Sequence, residues 1–184
     1  MASRYVALLR GINVGGNNLI KMAALKACFE ANGFGNVATY IQSGNVLFDA
    51  AGSSQARLVG QVEAMLAATF EYPASVVLRS RKQLREIVER APAGFGTEPA
   101  RYRYDVFFLK EPLKAAAAIE LVPTREGVDQ VYARTGVLYG SRLISRATES
   151  RISRLVSLPI YKSMTIRNWN TTTKLLRMME GSEA

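Results

Sequence analysis

The chain has 184 residues, 48% hydrophobic and 21% charged, which suits one ordinary soluble domain or two small packed halves around a real core. Histidine is absent and cysteine occurs once, which excludes Ser-His-Asp and Cys-His catalysis, histidine proton shuttles, histidine-bearing metal sites and an intramolecular disulfide. The net charge of +9, from 24 basic and 15 acidic residues, is compatible with nucleic acid or another polyanion as partner, and equally with a basic solvated surface.

At the amino terminus Met1-Ala2-Ser3-Arg4 leads into only five apolar residues before Arg10. That run is too short for a secretory signal or a membrane span, so a cytoplasmic location with no membrane partner is expected. Tyr5 to Ile12 reads as the first strand, and Lys21 to Asn32 as a helix closed by Gly33. Met22, Leu25, Cys28 and Phe29 share one face of that helix, which places Cys28 in the core rather than at a reactive position. Val37 to Gln42 and Asn45 to Asp49 read as strands around the hairpin signal Ser43-Gly44. Ser54 to Phe70 reads as a second helix with Leu58, Val62, Met65 and Leu66 inward, and Ala74 to Arg79 as a fourth strand. Strand, helix, strand, strand, helix, strand is the split βαβ, or ferredoxin-like, order.

Arg81 to Arg90 reads as a linking helix, and the loop Ala91 to Ala100, with its Pro and Gly residues, as a boundary. Beyond it Tyr104 to Lys110 reads as a strand, Glu111 to Glu120 as a helix, and Val128 to Arg134 with Val137 to Tyr139 as a second hairpin. A closing helix is expected from Ile166 to Met179 with Thr165 as its N-cap. Tyr40 to Phe48 resembles Tyr132 to Tyr139, and each follows a strand and a helix in the same order. The expected fold is therefore α+β: two ferredoxin-like (split βαβ) halves from an internal duplication, packed as one compact unit. Residues 1–80 form the first half, 81–100 the linking helix and loop, and 101–184 the second half with the C-terminal helix.

Three polar stretches bear on function. In the first, Arg10-Gly11-Ile12-Asn13-Val14-Gly15-Gly16-Asn17-Asn18, the Lys-Ser/Thr of a phosphate-gripping loop and the spaced glycines of a dinucleotide fingerprint are both missing. Gly15 and Gly16 still permit close backbone approach, a helix start adds partial positive charge, and Arg10 and Lys21 are basic partners for an anion. The same residues also make an ordinary tight connection. The second stretch, Gln42-Ser43-Gly44-Asn45, gathers amide and hydroxyl groups at one end of the sheet, or simply serves the hairpin; nothing nearby activates Ser43 as a nucleophile. The third, Arg167-Asn168-Trp169-Asn170-Thr171, is dense in mediocre helix formers, which ligand contact or intramolecular capping would explain, with Trp169 as a core anchor. Basic clusters occur at Arg79-Arg81-Lys82-Arg85, at Arg101-Arg103 and at Arg142-Arg146-Arg151-Arg154.

Together these stretches resemble the domain-of-unknown-function 1697 family, on Tyr5 to Asn18, Tyr40 to Phe48 and Arg167 to Thr171. The resemblance implies a cytoplasmic bacterial-type α+β protein with ferredoxin-like halves and carries no settled activity. The family-like polar residues are Arg10, Asn13, Lys21, Gln42, Ser43, Asn45, Arg167, Asn168 and Asn170, expected to converge on one cleft between the halves.

Three functions compete. The leading one is a binding module for an anionic, phosphate-bearing ligand or nucleic acid, with Tyr40, Tyr132 and Tyr139 as sheet aromatics beside basic residues. The second is an enzyme acting on an anionic small molecule without histidine or metal, for which Lys21 is the one nominee as base. The third is a structural or interaction domain in which Asn13, Asn45 and Asn168 bond to backbone across the halves. No cofactor or metal is implied, and the catalytic residues and oligomeric state are left open.

Overall fold

Four consecutive buried side chains, Val6 to Leu9, place the first strand, β1 (Ser3–Arg10), at the centre of a sheet buried on both faces. The structure, a computed structural model, describes residues 2–13, 19–71 and 73–181. The chain divides into two units, one of Met1–Leu84 with Leu175–Ala184 and one of Arg85–Lys174.

In the first unit β1 is followed by α1 (Met22–Ala31), β2 (Gly35–Tyr40), β3 (Asn45–Ala50), α2 (Gln55–Phe70) and β4 (Ser75–Ser80). The sheet order is β2-β3-β1-β4 with every pairing antiparallel, so β3 splits the β1-α1-β2 unit. Period-2 alternation sends Ala7, Leu9, Phe48 and Leu78 into one core with Leu25, Cys28 and Phe29 of α1 and Leu58, Val62 and Leu66 of α2. Cys28 is buried there, with Sγ 3.4 Å from Thr69 Oγ1. Ser54 caps α2 by accepting from the Arg57 N–H at 3.3 Å.

The linking helix is α3 (Arg81–Glu89). In the second unit β5 (Tyr102–Leu109), α4 (Ala115–Ile119), β6 (Asp129–Arg134), β7 (Val137–Leu143) and β8 (Met164–Asn168) follow, and α5 (Trp169–Glu180) closes the chain. Its sheet order, β6-β7-β5-β8, repeats that of the first unit. The repetition extends to single bonds: Leu9 N–H donates to Gly44 O at 2.8 Å, and Leu109 N–H donates to Gly136 O at 3.0 Å. The protein is thus an α+β fold with two four-stranded antiparallel sheets of one topology.

Between β7 and β8 the second unit carries three short 3-10 segments, Ile144–Glu149, Ile152–Ser157 and Pro159–Ser163, where the first unit has α2. Asp129 holds them. Its buried carboxylate accepts from Ser150 Oγ at 2.6 Å, Arg125 N–H at 2.9 Å and Arg151 N–H at 2.8 Å. Ile152 and Leu155 then reach the core beside Phe107, Leu109, Leu138 and Met164.

Two expected helices differ from the structure. The one expected over Glu111 to Glu120 begins only at Ala115, because Leu113 N–H closes a turn onto Lys110 O and the first helical bond is Ala118 N–H to Lys114 O. The closing helix begins at Trp169, and Thr165 is not its cap. Thr165 and Ile166 lie inside β8, paired with Phe108 and Phe107, and Asn168 is the capping residue. Two consecutive β-branched side chains beside an open edge of β5 favour a strand there over a helical turn. Among the described residues, no helix is long and apolar enough to cross a membrane.

Candidate functional site

The first motif starts where β1 ends, with Arg10 half-buried and paired to Ser75. The backbone then turns left-handed at Gly11 (φ 74°) and again at Asn13 (φ 54°), while Ile12 tucks into the core between them. Asn13 is the brace of this loop. Its Oδ1 accepts from Ile20 N–H at 2.8 Å, and its Nδ2 donates to Ile20 O at 3.0 Å and to Gln42 O at 2.9 Å. One amide therefore fixes both the far end of the loop and the neighbouring hairpin. Gly15, Gly16, Asn17 and Asn18 lie outside the described residues. Lys21 stands exposed at the N-cap position of α1; its side chain makes no cap, and its carbonyl accepts from Leu25 N–H at 3.0 Å.

The second motif closes β2 onto β3 through the pair Tyr40 and Asn45. The strand expected to reach Gln42 stops at Tyr40, because Ile41 is left-handed (φ 49°), a conformation rare for a β-branched side chain. Gly44 (φ 77°) is required by contact as well as by conformation. A Cβ there would lie 2.5 Å from Ile12 Cδ1 and 2.9 Å from Leu9 Cβ. Asn45 is fully buried, with Nδ2 donating to Tyr40 O at 2.9 Å and to Ser43 Oγ at 3.1 Å. Ser43 Oγ thus serves as an acceptor inside the turn, and Gln42 keeps its side chain exposed. The first and second motifs form one loop cluster in the first unit, joined by Asn13 to Gln42 and by Gly44 against Ile12.

Arg167, Asn168 and Asn170 belong to the second unit. Arg167 is only 7% exposed; its Nη1 donates to Thr165 Oγ1 and to Ile166 O, both at 2.8 Å. Burial pushes its pKa down to about 10, against the pull of Tyr161. Asn168 Oδ1 caps α5 by accepting from Thr171 N–H at 2.7 Å, and Thr172 Oγ1 donates to Asn168 O at 3.0 Å. Asn170 is exposed, and its carbonyl accepts from Thr173 Oγ1 at 3.1 Å. The Asn and Thr density at this helix start is therefore met by capping bonds. Trp169 is half-buried, its ring edge-on to Phe95 at 5.2 Å. Gly96 (φ 86°) lets the chain pass so close to Trp169 that a Cβ would fall 2.2 Å from Nε1.

Arg79 and Arg167 are counterparts, which no local sequence signal marks. Arg79 is opposite Val6 and Arg167 opposite Val106, and these valines occupy matching places in β1 and β5. Arg79 is 8% exposed and, like Arg167, donates from Nη1 to the carbonyl before it, Leu78 O at 2.7 Å. Each is followed by a helix cap. Ser80 Oγ accepts from Gln83 N–H at 3.2 Å while Gln83 Oε1 accepts from Ser80 N–H at 2.8 Å, a capping box that corresponds to Asn168 on Thr171. The readable signal is Leu78-Arg79-Ser80 against Ile166-Arg167-Asn168, which stands out only once strand register is known.

Burial also removes Arg79 from the exposed basic cluster of which its sequence neighbours are part. Other basic residues meet carboxylates: Arg103 Nε and Arg142 Nη2 reach Asp105 Oδ2 at 3.1 and 3.4 Å, and Arg125 and Arg146 reach Glu149 Oε2 at 3.1 and 2.7 Å. The Arg146 guanidinium holds the Glu149 carboxyl below its ordinary range. Tyr139 is not a stacking platform. It is fully buried, its O–H donates to Ile87 O, and burial pushes its pKa up to about 12 although Arg134 pulls the other way. Tyr132 is 39% exposed and Tyr40 half-buried. Among the described residues, no group of three or more Cys, Asp or Glu could hold a metal ion.

A split βαβ sheet used twice, with a loop braced by Asn13 and a buried arginine before each helix cap, makes this a small α+β protein. The chain belongs to the family described as protein of unknown function (DUF1697), which it matches over residues 2–139. That stretch takes in the first two motifs, and the third lies past it. Among solved structures the chain is similar to a conserved bacterial protein from Streptococcus pneumoniae, with 30% identity and a TM-score of 0.83. The likeness covers 97% of this chain and 99% of that one. No curated protein matches it.

Proposed function

We propose that this protein is a cytoplasmic binding module for an anionic, phosphate-bearing ligand, taken at the loop end of the first sheet. The observation that carries the reading is the brace made by Asn13. Its three bonds to Ile20 and Gln42 fix the approach to α1, whose first turn opens at Lys21 without a side-chain cap. Amides of an uncapped first turn attract anions, and Arg10 and Lys21 bound the loop with positive charge. Left-handed Ile41 supports it further, since a β-branched residue in that conformation is a strain outlier and such outliers cluster at ligand and switch sites.

The test is thermal unfolding against nucleotides, phosphosugars, short RNA and short DNA. A ligand at about 100 times its Kd adds roughly 2.7 kcal/mol, a rise of about 5 to 10 °C for a chain of this size. The rise should vanish in Arg10→Ala and in Lys21→Met; an unchanged rise in both would remove the site. A steep fall of affinity with salt identifies nucleic acid as the ligand, and a shallow one a small molecule.

A separate observation favours an architectural reading confined to each unit. Asn13, Asn45 and Asn168 bond to backbone within their own units, not across the halves as expected, and on that reading their replacement lowers stability while no ligand shifts the unfolding midpoint.

A further inference from the structure

We propose a second anion site in the first unit, at the opposite end of β1, that takes a phosphate monoester carrying free hydroxyls. A cleft of about 430 Å³ is lined there by Ser3, Arg4, Asp49, Ser80, Arg81 and Lys82, among others. That volume lies within the roughly 300–1,000 Å³ of small-molecule sites. Arg4 and Arg10 are six residues apart on one strand, about 20 Å at the rise of an extended chain, so the two sites do not overlap.

The charge in the cleft selects its ligand. Asp49 is occupied on both oxygens: Oδ1 accepts from Arg4 Nη1 at 3.1 Å and Oδ2 from Asn36 Nδ2 at 2.6 Å. Arg4 Nη1 also donates to Asn36 O at 2.6 Å, which holds the guanidinium in place. Arg4 and Asp49 therefore cancel. Arg81 and Lys82 make no ion pair among the described residues, and two positive charges are left, the complement of a dianionic phosphate monoester. Both cations ride on the first turn of α3, which the reciprocal bonds of Ser80 and Gln83 lock before any ligand arrives. The fork of Arg81 suits two phosphate oxygens and the Lys82 ammonium a third. Ser3 and Ser80 add hydroxyl donors. Among the described residues Asp49 is the single acidic side chain lining the cleft, and its remaining lone pairs accept from a sugar hydroxyl that bare phosphate lacks.

The experiment is calorimetric titration of the full chain at fixed ionic strength with inorganic phosphate, a nucleoside 5′-monophosphate, a hexose 6-phosphate and sulfate. At least one ester is expected to bind more tightly than phosphate, and the tighter of the two identifies the source of the phosphate group. Arg81→Ala combined with Lys82→Ala, at two exposed positions, is expected to weaken that ester at least tenfold with unchanged circular dichroism. The comparison is made in a Lys21→Met background, so that an ester held at the first site does not enter it. Absence of ester binding, equal binding by sulfate, or equal affinity in the double variant overturns the proposal.

Discussion

The two units repeat one another strand for strand, down to a buried arginine ahead of each helix cap, yet they end their hairpins differently. In the second unit Arg134 pairs with Val137 across the two-residue turn Thr135-Gly136. In the first, pairing stops at Tyr40 and Asn45 and leaves four residues in the turn. Chain length is not the cause, since Tyr40 to Gly44 and Tyr132 to Gly136 are equally long. The cause is Asn45, whose buried amide takes the Tyr40 carbonyl; Val137 in the same place has nothing to offer it. The widened turn is what Asn13 grips through Gln42. One scaffold has thus been opened into a loop cluster in the first unit and sealed in the second, where the elaboration instead goes into 3-10 segments pinned by Asp129.

The sharpest way to break that contrast is Asp129→Ala, which strands three donors in the second unit and should cost about 3 to 5 kcal/mol in urea unfolding. A loss below about 1 kcal/mol would mean that the 3-10 segments are held by their apolar residues alone. Next comes Gly44→Ala, where a left-handed backbone and the contacts with Ile12 and Leu9 combine, for about 2 to 4 kcal/mol. Gly11→Ala, equally left-handed but with open space around it, should cost about 1 kcal/mol. Asn45→Val places the second unit's residue in the first and should cost about 1 to 3 kcal/mol through the orphaned Tyr40 carbonyl. Unchanged stability there would refute the role given to Asn45.

Arg79→Met and Arg167→Met probe the shared part of the scaffold. Each change strips a buried donor from the carbonyl before it, Leu78 O or Ile166 O, so both should cost about 1 to 3 kcal/mol and share one sign. Opposite signs would show that the two arginines are counterparts in position only. The smallest effect is a slope. Tyr139 titrates at about 12 in the folded chain against 10.0 for a free phenol, so the folded state holds the extra proton between those values. Its stabilisation is complete below pH 10 and is lost as pH rises toward 12. Arg167, with its value lowered, acts in the opposite direction over the same range. The difference between wild type and Tyr139→Phe isolates the tyrosine: wild type should lose stability relative to the variant across that window, with the buried phenolate appearing last in an absorbance titration.

Much of the first unit was legible without coordinates. Ser54 before an amphipathic run, Gly33 after one, and two alternating segments around Ser43-Gly44 are local signals, and each marks the element it should within a residue or two. The second unit was less legible for identifiable reasons. Ile166, Trp169, Leu176 and Met179 fall at helical spacing, but Ile166 is claimed by β5, where its partner Phe107 lies fifty-nine positions away. Asp129 looks like any polar residue at a strand start until Ser150 and Arg151 arrive beneath it from twenty-one and twenty-two positions away. The equivalence of Arg79 and Arg167 needed the register of two sheets.

By itself the sequence determined the class of fold, the duplicated hairpin, the lone core cysteine and the kinds of catalysis that histidine-free chemistry leaves out, because these follow from period, turn residues and composition. Tertiary structure alone decided that Arg79 and Arg167 are buried, that Asn13 spends its amide on Ile20 and Gln42, and that Arg4 pairs with Asp49 beside the exposed Arg81 and Lys82. Burial and pairing are sums over residues distant in the chain, and no local window carries them.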